Sequence, residues 1–519
     1  MKKLILTTLS VLFLFGLRAQ NQQATLDYNN TRVGVLNGGD FFWDLINTKY
    51  EVPKNTGGKS TIFSGSLWLG AKEEDGTVHL SAMTYRQRGQ DFWPGPHSSN
   101  TTATRSKYDE IYLVSKSEVS AHKANSTNPI YAILAWPGNG DTTMGEPFQL
   151  APFVDLNSNG VYEPILGDYP EIKGTGAAYC VYSDQGFHSE SGGRALGVDI
   201  HQLFYQDVAT GFGEVNLASF KVVNRSDTSY TNFKFGVFVD FDLGNFADDY
   251  VGCDSNKNMI YAYNGDDIDE GVLGYSINPP AQNMMFLNTE LGAAVYYNNP
   301  SNQISGNPVI AQDFYNYLDA KWLNGDNIEY GGDGIVGTNN QKTSFMFTGD
   351  PSTGSGWTEG SAGNSPQDRR MLAVAKETSL AIGEVKCFDI AFVYGRASSG
   401  GPTASINVMK SKADEVQAAY DANTYGWKTT ECGLGAQEET AGLFDHTHGN
   451  VSFSIYPNPS TGNYTIKGLD TENPSVITNL AGQVVKRVAA KTNAFDLSEL
   501  ESGVYFLQTE VGTARLIKL

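Results

Sequence analysis

The stretch "PFVDLNSNGVYEPILGDYP" sets oxygen-bearing side chains on alternate positions, Asp155, Asn157 and Asn159, just before Gly160. Calcium is held by several hard oxygens converging on one point, with a glycine turning the loop at its sixth position. Asp155, Asn157 and Asn159 fall at offsets one, three and five, Gly160 at six, the Val161 carbonyl at seven and Glu163 at nine. Leu166 stands where a standard loop closes with glutamate, so Asp168 must close this one by another path. The competing expectation is a polar turn held by Asx hydrogen bonds.

A second acidic constellation comprises Asp240, Asp242, Asp248, Asp249 and Asp254 in "FVDFDLGNFADDYVGCD". If the alternation "NFKFGVFVDF" is a strand, Asp240 and Asp242 leave its end on the same face, because strand side chains repeat with period two. Carboxylates so close repel one another without a cation, so calcium is the expected cofactor here too. Asp266, Asp267 and Asp269 form a third group. Paired carboxylates also suit glycoside hydrolysis, with Asp240 opposite Glu214 or Asp254. HExxH and GxSxG are absent from the sequence, and its histidines are dispersed, with His201 in "DIHQLFYQD" read as a partly buried strand residue. No catalytic residue is therefore assigned.

In "YRQRGQDFWPGP", Tyr85, Arg86, Arg88, Phe92 and Trp93 stand close together and suit stacking on a sugar or anchoring a protein partner. The bland alternative puts Phe92 and Trp93 in the core. Trp357, among small polar neighbours in "GSGWTEG", is expected to be exposed.

The elements that must position these residues are mostly strands. The chain has 56 Gly, 27 Tyr and 27 Phe in 519 residues, and short apolar runs alternate with Asn, Asp and Gly clusters, the texture of strands joined by turns. "TIFSGSLWLGAK", "IYAILAW", "ASFKVVN", "NFKFGVFVDFDLG" and "KCFDIAFVYGR" read as strands. Helices are expected only in "QDFYNYLDAKWL" and in "SINVMKSKADEVQAAYDANT", the latter capped by Ser405. The fold class is all-β: a large multi-sheet β-sandwich body with short helices, then a small Ig-like β-sandwich.

Residues 1–20, "MKKLILTTLSVLFLFGLRAQ", join a basic start to a short apolar run and read as a secretory signal peptide. Residues 21–300 form a β-rich body, 301–433 glycine-rich loops and a closing β-rich portion with one helix, 434–449 a linker and 450–519 a separate domain. Without the signal peptide the chain holds 33 basic and 57 acidic residues, a formal charge of −24. Such a surface repels nucleic acid. No later apolar run is long enough to span a membrane. Cys180, Cys253, Cys387 and Cys432 allow three sets of two disulfides, the chain-order set being Cys180 with Cys253 and Cys387 with Cys432.

"SIYPNPSTGNYTI", "ITNLAGQVVK", "DLSELESGVYFLQ" and "ARLIKL" resemble the type A C-terminal sorting domain of the Bacteroidetes type IX secretion system. Tyr456, Pro457, Asn458, Pro459 and Gly462 match its opening, Asn479, Ala481, Gly482 and Gln483 its central turn, and Leu497, Leu500, Gly503, Tyr505 and Lys518 its closing segment. The resemblance implies export across the outer membrane, with the secretion machinery as partner of residues 450–519, and a secreted or cell-surface location. Residues 29–430 resemble a group of secreted Bacteroidetes proteins with the same tail, a likeness that carries no activity. Together these readings describe a secreted, calcium-stabilised, non-enzymatic surface or matrix protein that binds a glycan or surface protein or serves as scaffold. The alternatives are a glycosidase-like hydrolase and a filament or adhesin subunit.

Overall fold

A computed structural model describes residues 23–428 and 454–519, apart from 74, 301–302, 339, 459, 468–473, 480–483 and 510–511. The expected signal peptide and linker lie outside the described residues. The chain divides into two compact units, Met1–Glu438 and Glu439–Leu519.

The β-branched and aromatic runs of the body pair into two large antiparallel sheets, since such side chains fit a pleated, half-buried surface. The first is ten-stranded, and its main path runs Gln23–Leu26, Arg32–Leu36, Asp40–Phe41, Ser64–Lys72, Tyr230–Phe241, Arg369–Ala375, Leu291–Tyr297. The second is nine-stranded, in the order Asp249–Asp254, Met259–Asn264, Ala281–Phe286, Val385–Gly395, Val215–Asn224, Val198–Gln206, Gly176–Ser183, Trp93–Pro94. Their facing sides make one core: Phe235 of the first sheet stacks on Phe388 of the second with ring centroids 3.9 Å apart. The outer face of the second sheet is covered by helix Gly401–Asp421 through Ile406, Met409, Val416 and Tyr420. Helix Ala311–Leu318 covers the outer face of the first, where Phe314 meets Trp68 edge-on at 4.8 Å.

Trp68 is fully buried, stacks near Phe238 and Tyr297, and donates its indole N–H to the Met83 carbonyl at 2.7 Å. Trp68→Ala should cost about 3–5 kcal/mol of unfolding free energy. Denaturant titration measures it; a loss under about 1 kcal/mol would mean the first sheet does not depend on this packing.

Several sequence expectations change. The long helix starts at Gly401 with Pro402 in its first turn, so Ser405 lies inside it and its hydroxyl accepts from the Ala397 N–H at 3.0 Å. "QDFYNYLDAKWL" contributes only the helix to Leu318, because the chain turns at Ala320, which has φ +51°. His201 is fully buried beside the Tyr179 hydroxyl, and burial pushes its pKa well below the usual value. Cys180 and Cys253 are buried free thiols, so the first chain-order disulfide does not form. Five strands of the second sheet separate theirs, a span of roughly 25–30 Å at the ordinary strand spacing, far beyond disulfide reach. Cys387 is disulfide-bonded, and Cys432 lies outside the described residues.

The second unit has a three-stranded sheet (Ser454–Tyr456, Asn463–Lys467, Ala494–Asp496) and a four-stranded one (Val484–Val488, Ser475–Asn479, Gly503–Thr509, Gly512–Lys518). Its own core holds Tyr464, Ile477, Leu507 and Leu516. The expected turn at Ala481, Gly482 and Gln483 lies outside the described residues.

Candidate functional site

Strand pairing carries a row of polar side chains across the outer face of the first sheet. Ser64 stands opposite Asp240, Asp240 opposite Arg370, and Arg370 opposite Tyr297. Period-two alternation puts Asp240 on the same face as Phe238, which stacks on Trp68. The aspartate is thus carried into the apolar layer beneath helix Ala311–Leu318 and is only 2% exposed.

One side of its carboxylate is satisfied. Oδ2 accepts from the Tyr85 hydroxyl at 2.7 Å, and Arg370 Nη2 lies 3.6 Å away. Arg370 also donates through Nε to the Tyr85 oxygen at 2.7 Å and through Nη1 to Asp368 at 2.8 Å. The other side is not satisfied. Asp240 Oδ1, Asp242 Oδ1, Ser64 Oγ and the Tyr297 hydroxyl are buried and take part in no hydrogen bond among the described residues. One oxygen each from Asp240, Asp242 and Asp368 lie within 4.8 Å of one another. Among the described residues the three carboxyl groups have one basic side chain paired with them, Arg370, through Asp240 Oδ2 and Asp368.

The electrostatics follow from that geometry. Burial raises the pKa of Asp240, with the Asp368 charge adding to it and Arg370 opposing. Asp242 is raised well above the usual carboxylate range by burial and then by Asp240 and Asp368. Asp249 rises well above its ordinary value, chiefly by burial, with Asp242 and Asp248 contributing; Asp248, on the far side of Asp249 from the cluster in its interactions, is pushed up to about 6, chiefly by burial. Asp249 Oδ2 accepts from the Leu243 N–H at 2.9 Å, while the Oδ1 atoms of Asp248 and Asp249 are buried without a hydrogen-bond partner.

The structure thus brings Asp240 and Asp242 together as strand periodicity predicts, with Asp249 near Asp242, whereas Asp248 accepts from the Asn245 side-chain amide at 2.9 Å and feels the charge of Asp269. Asp254 is elsewhere: it ends the strand that Asp249 begins and pairs with Lys410 at 3.0 Å. Glu214 bonds to Lys412 at 2.9 Å and to Asn30 at 2.7 Å. The hydrolytic pairs Asp240 with Glu214 or Asp254 accordingly do not form, and Asp242 and Asp368 are the carboxylates at hand. Asp269 of the third group is occupied as a turn anchor, accepting from the N–H groups of Asn245 at 3.0 Å and Tyr275 at 2.6 Å. Sequence reading missed Asp368, Ser64 and Arg370. The one signal was "DRR", a charged triplet opening the strand "RRMLAVA".

At the Asp155 loop the Asx pattern is present. Asp155 accepts from the backbone N–H groups of Asn157, Ser158 and Gly160 through both of its oxygens, and Asn159 accepts from that of Val161. Glu163 Oε2 accepts from the side-chain amides of Asn157 at 3.2 Å and Asn159 at 2.6 Å. Asp168 is buried and closes the loop by accepting from the Leu156 and Glu163 N–H groups at 3.0 and 2.8 Å.

The two aromatic hints exchange places. Trp357 is 4% exposed, packs on Tyr330 and Phe347, and donates to the Gly332 carbonyl at 2.9 Å, because the glycine-rich loops fold over it. Phe92 is buried, whereas Trp93 is half-buried at the rim of a cavity.

Residues 454–518 match the family model described as the secretion system C-terminal sorting domain. The chain carries a type IX sorting domain. That domain is the second compact unit of the fold, and it makes the protein a secreted or cell-surface one, exported across the outer membrane of a Gram-negative bacterium of the Bacteroidetes. Among the described residues no helix is long and apolar enough to cross a membrane. The comparison with curated proteins finds no match. Among solved structures, a polysaccharide lyase is similar at 8% identity with a TM-score of 0.21, covering 87% of this chain and 46% of its own. A copper-containing benzylamine oxidase from Hansenula polymorpha is similar at 8% identity with a TM-score of 0.29, covering 78% of this chain and 65% of its own. The chain thus spans less than two thirds of either protein, and likenesses this remote bear on neither activity nor ligand.

Proposed function

We propose that the exported body is a binding or scaffold protein of the cell surface, organised around a hard divalent cation, calcium, held by Asp240, Asp242 and Asp368. The observations that carry this reading are two: Asp240 Oδ1 is a buried carboxylate oxygen with no hydrogen-bond donor among the described residues, and one carboxylate oxygen each from Asp240, Asp242 and Asp368 lie within 4.8 Å of one another. A carboxylate in that position is costly unless it is protonated or paired. A calcium ion satisfies all three at once, and Ser64 Oγ offers a neutral oxygen on the neighbouring strand. The Asp155 loop gains less from a cation, because both Asp155 oxygens already have N–H donors.

Calorimetric titration of the full chain with calcium tests the assignment. Wild type should bind, and Asp368→Asn should lose at least about tenfold in affinity, equal to about 1.4 kcal/mol. Undiminished binding by Asp368→Asn, or no binding by wild type, rejects it.

A second reading, a glycoside hydrolase, is favoured by one observation: Asp240 and Asp242 are close carboxyls whose protonated forms are stabilised. A protonated acid beside an ionised carboxylate is the pair that sugar hydrolysis uses. Hydrolysis of a glycoside panel that survives chelation and vanishes in Asp240→Asn would replace the cation reading. The adhesin or filament reading requires an open, flat sheet edge. Two edges are shielded instead: Ala294 bridges to Phe345, and the Cys253 N–H donates to the Phe347 carbonyl.

A further inference from the structure

A cavity of about 290 Å³ opens between the loop at Arg86–Pro94, which follows directly on Tyr85 of the carboxylate cluster, and helix Thr101–Tyr108. Its wall includes Trp93, and the Arg105 guanidinium lies 4.2 Å from the centre of the Trp93 ring. The stack is held from behind. Arg105 Nη2 donates to the Gln185 carbonyl at 2.7 Å, and a Cβ at Gly186 would fall 2.3 Å from Trp93 Nε1 and 2.6 Å from Arg105 Nη2, so a larger residue there would push the pair apart.

Arg105 has no carboxylate partner among the described residues, in a chain whose formal charge is −21. Burial alone lowers its pKa, and no acidic group offsets that cost. A half-buried arginine in so acidic a protein would ordinarily be paired, as nearby Arg86 is, with both Nε and Nη2 on Asp40 at 2.9 and 2.7 Å. Arg86 itself has φ +50°, a strained conformation for a non-glycine residue, and strain of that kind gathers at ligand clamps. Around the cations the lining supplies partners for hydroxyls. Asn37 is 4% exposed, uses its amide nitrogen on Asp109 at 2.9 Å and keeps its oxygen uncommitted, and the Gln90 side chain also lines the wall. Pro94 and the Trp93 ring add apolar surface over the fully buried Phe92, and Asp109, which accepts from the Asn37 amide, is the one carboxylate of the lining.

A guanidinium without a carboxylate partner, apolar surface from Trp93 and Pro94, and polar groups of Asn37, Gln90 and the Asn37-bonded Asp109 match a small ring bearing one carboxylate and several hydroxyls. We propose that this cleft binds a uronic-acid residue, its carboxylate on Arg105 and its hydroxyls on Asn37 and Gln90. The volume, near the low end of ligand pockets, suits a single ring rather than a long chain. The protein's acidic charge would also repel an extended polyanion at long range.

The experiment is a titration of the full chain, followed by calorimetry and tryptophan fluorescence, with galacturonate, with galactose (the ring without the carboxylate) and with cyclohexanecarboxylate (the carboxylate without hydroxyls). Galacturonate should bind with a dissociation constant of about 1 mM or below, and each of the other two at least about tenfold more weakly. Arg105→Ala should reduce galacturonate affinity by about tenfold or more, and Arg105→Lys, which keeps the charge and loses the planar fork, should fall in between. No galacturonate binding, equal binding of either analogue, or full affinity in Arg105→Ala overturns the proposal. Repeating the titration with calcium and with chelator separates this cleft from the cation centre: loss of binding only in chelator shows dependence on the cation, whereas loss in both rejects the cleft alone.

Discussion

Calcium at about a hundredfold excess over its dissociation constant is expected to stabilise the chain by about 2.7 kcal/mol at pH 7, and the same addition at pH 4 should have almost no effect. The cause is the cost of ionising the Asp240 cluster. Asp240 is raised to about 6, and Asp242 and its neighbour Asp249 well above the usual value, each chiefly by burial. An unfolded aspartate titrates near 3.9. Between these values the folded chain holds protons that the unfolded chain has released, so the stability of the cation-free protein falls as pH rises from about 4 through 6 and levels off above the folded values. A bound cation replaces those protons. Its stabilising effect must therefore grow over the same pH range, and chelation must hurt most at neutral pH. Thermal unfolding at several pH values, with calcium and with chelator, gives both curves. Equal calcium stabilisation at pH 4 and pH 7 would move the ion away from this cluster.

A single substitution in the sorting domain, Leu507→Asp, is expected to abolish appearance of the protein at the cell surface while the body stays folded. Leu507 is fully buried in the small core with Tyr464, Ile477 and Leu516. Burying a carboxylate there costs several kcal/mol, and a domain of this size has only about 3–5 kcal/mol to lose. The body is a separate compact unit with its own cores and does not depend on that leucine. Removing residues 450–519 should give the same result, with the truncated chain held in the periplasm. Protease accessibility on intact cells, set against the fraction retained inside, reads both outcomes. Undiminished surface exposure of Leu507→Asp would show that the machinery does not read a folded domain.

The residues differ in how far local order alone could place them. Asp240 and Asp242 stand together because they are two apart at the end of a strand, and that relation needs nothing beyond the period of the backbone. The Asx bonds of Asp155 and Asn159 are likewise local, made to groups within five residues. Export could be read from residues 450–519 because a machinery-read address is a short pattern with its own small core, present whatever precedes it. The all-β class was legible from period-two runs broken by Asn, Asp and Gly clusters.

Tertiary structure alone decided the rest. Asp368 and Arg370 reach Asp240 because Arg369–Ala375 pairs with a strand more than a hundred residues earlier, and Ser64 arrives from the other side. Such pairings are selected by burial across whole sheets, which no local window contains. The same global packing buries Trp357 despite its small polar neighbours, keeps Cys180 and Cys253 five strands apart, and leaves Arg105 on Trp93 without a carboxylate. Sequence determined where this protein is sent and which acids are adjacent along the chain. Which oxygens share one buried point is set by register and packing, because contact energies between distant segments decide it.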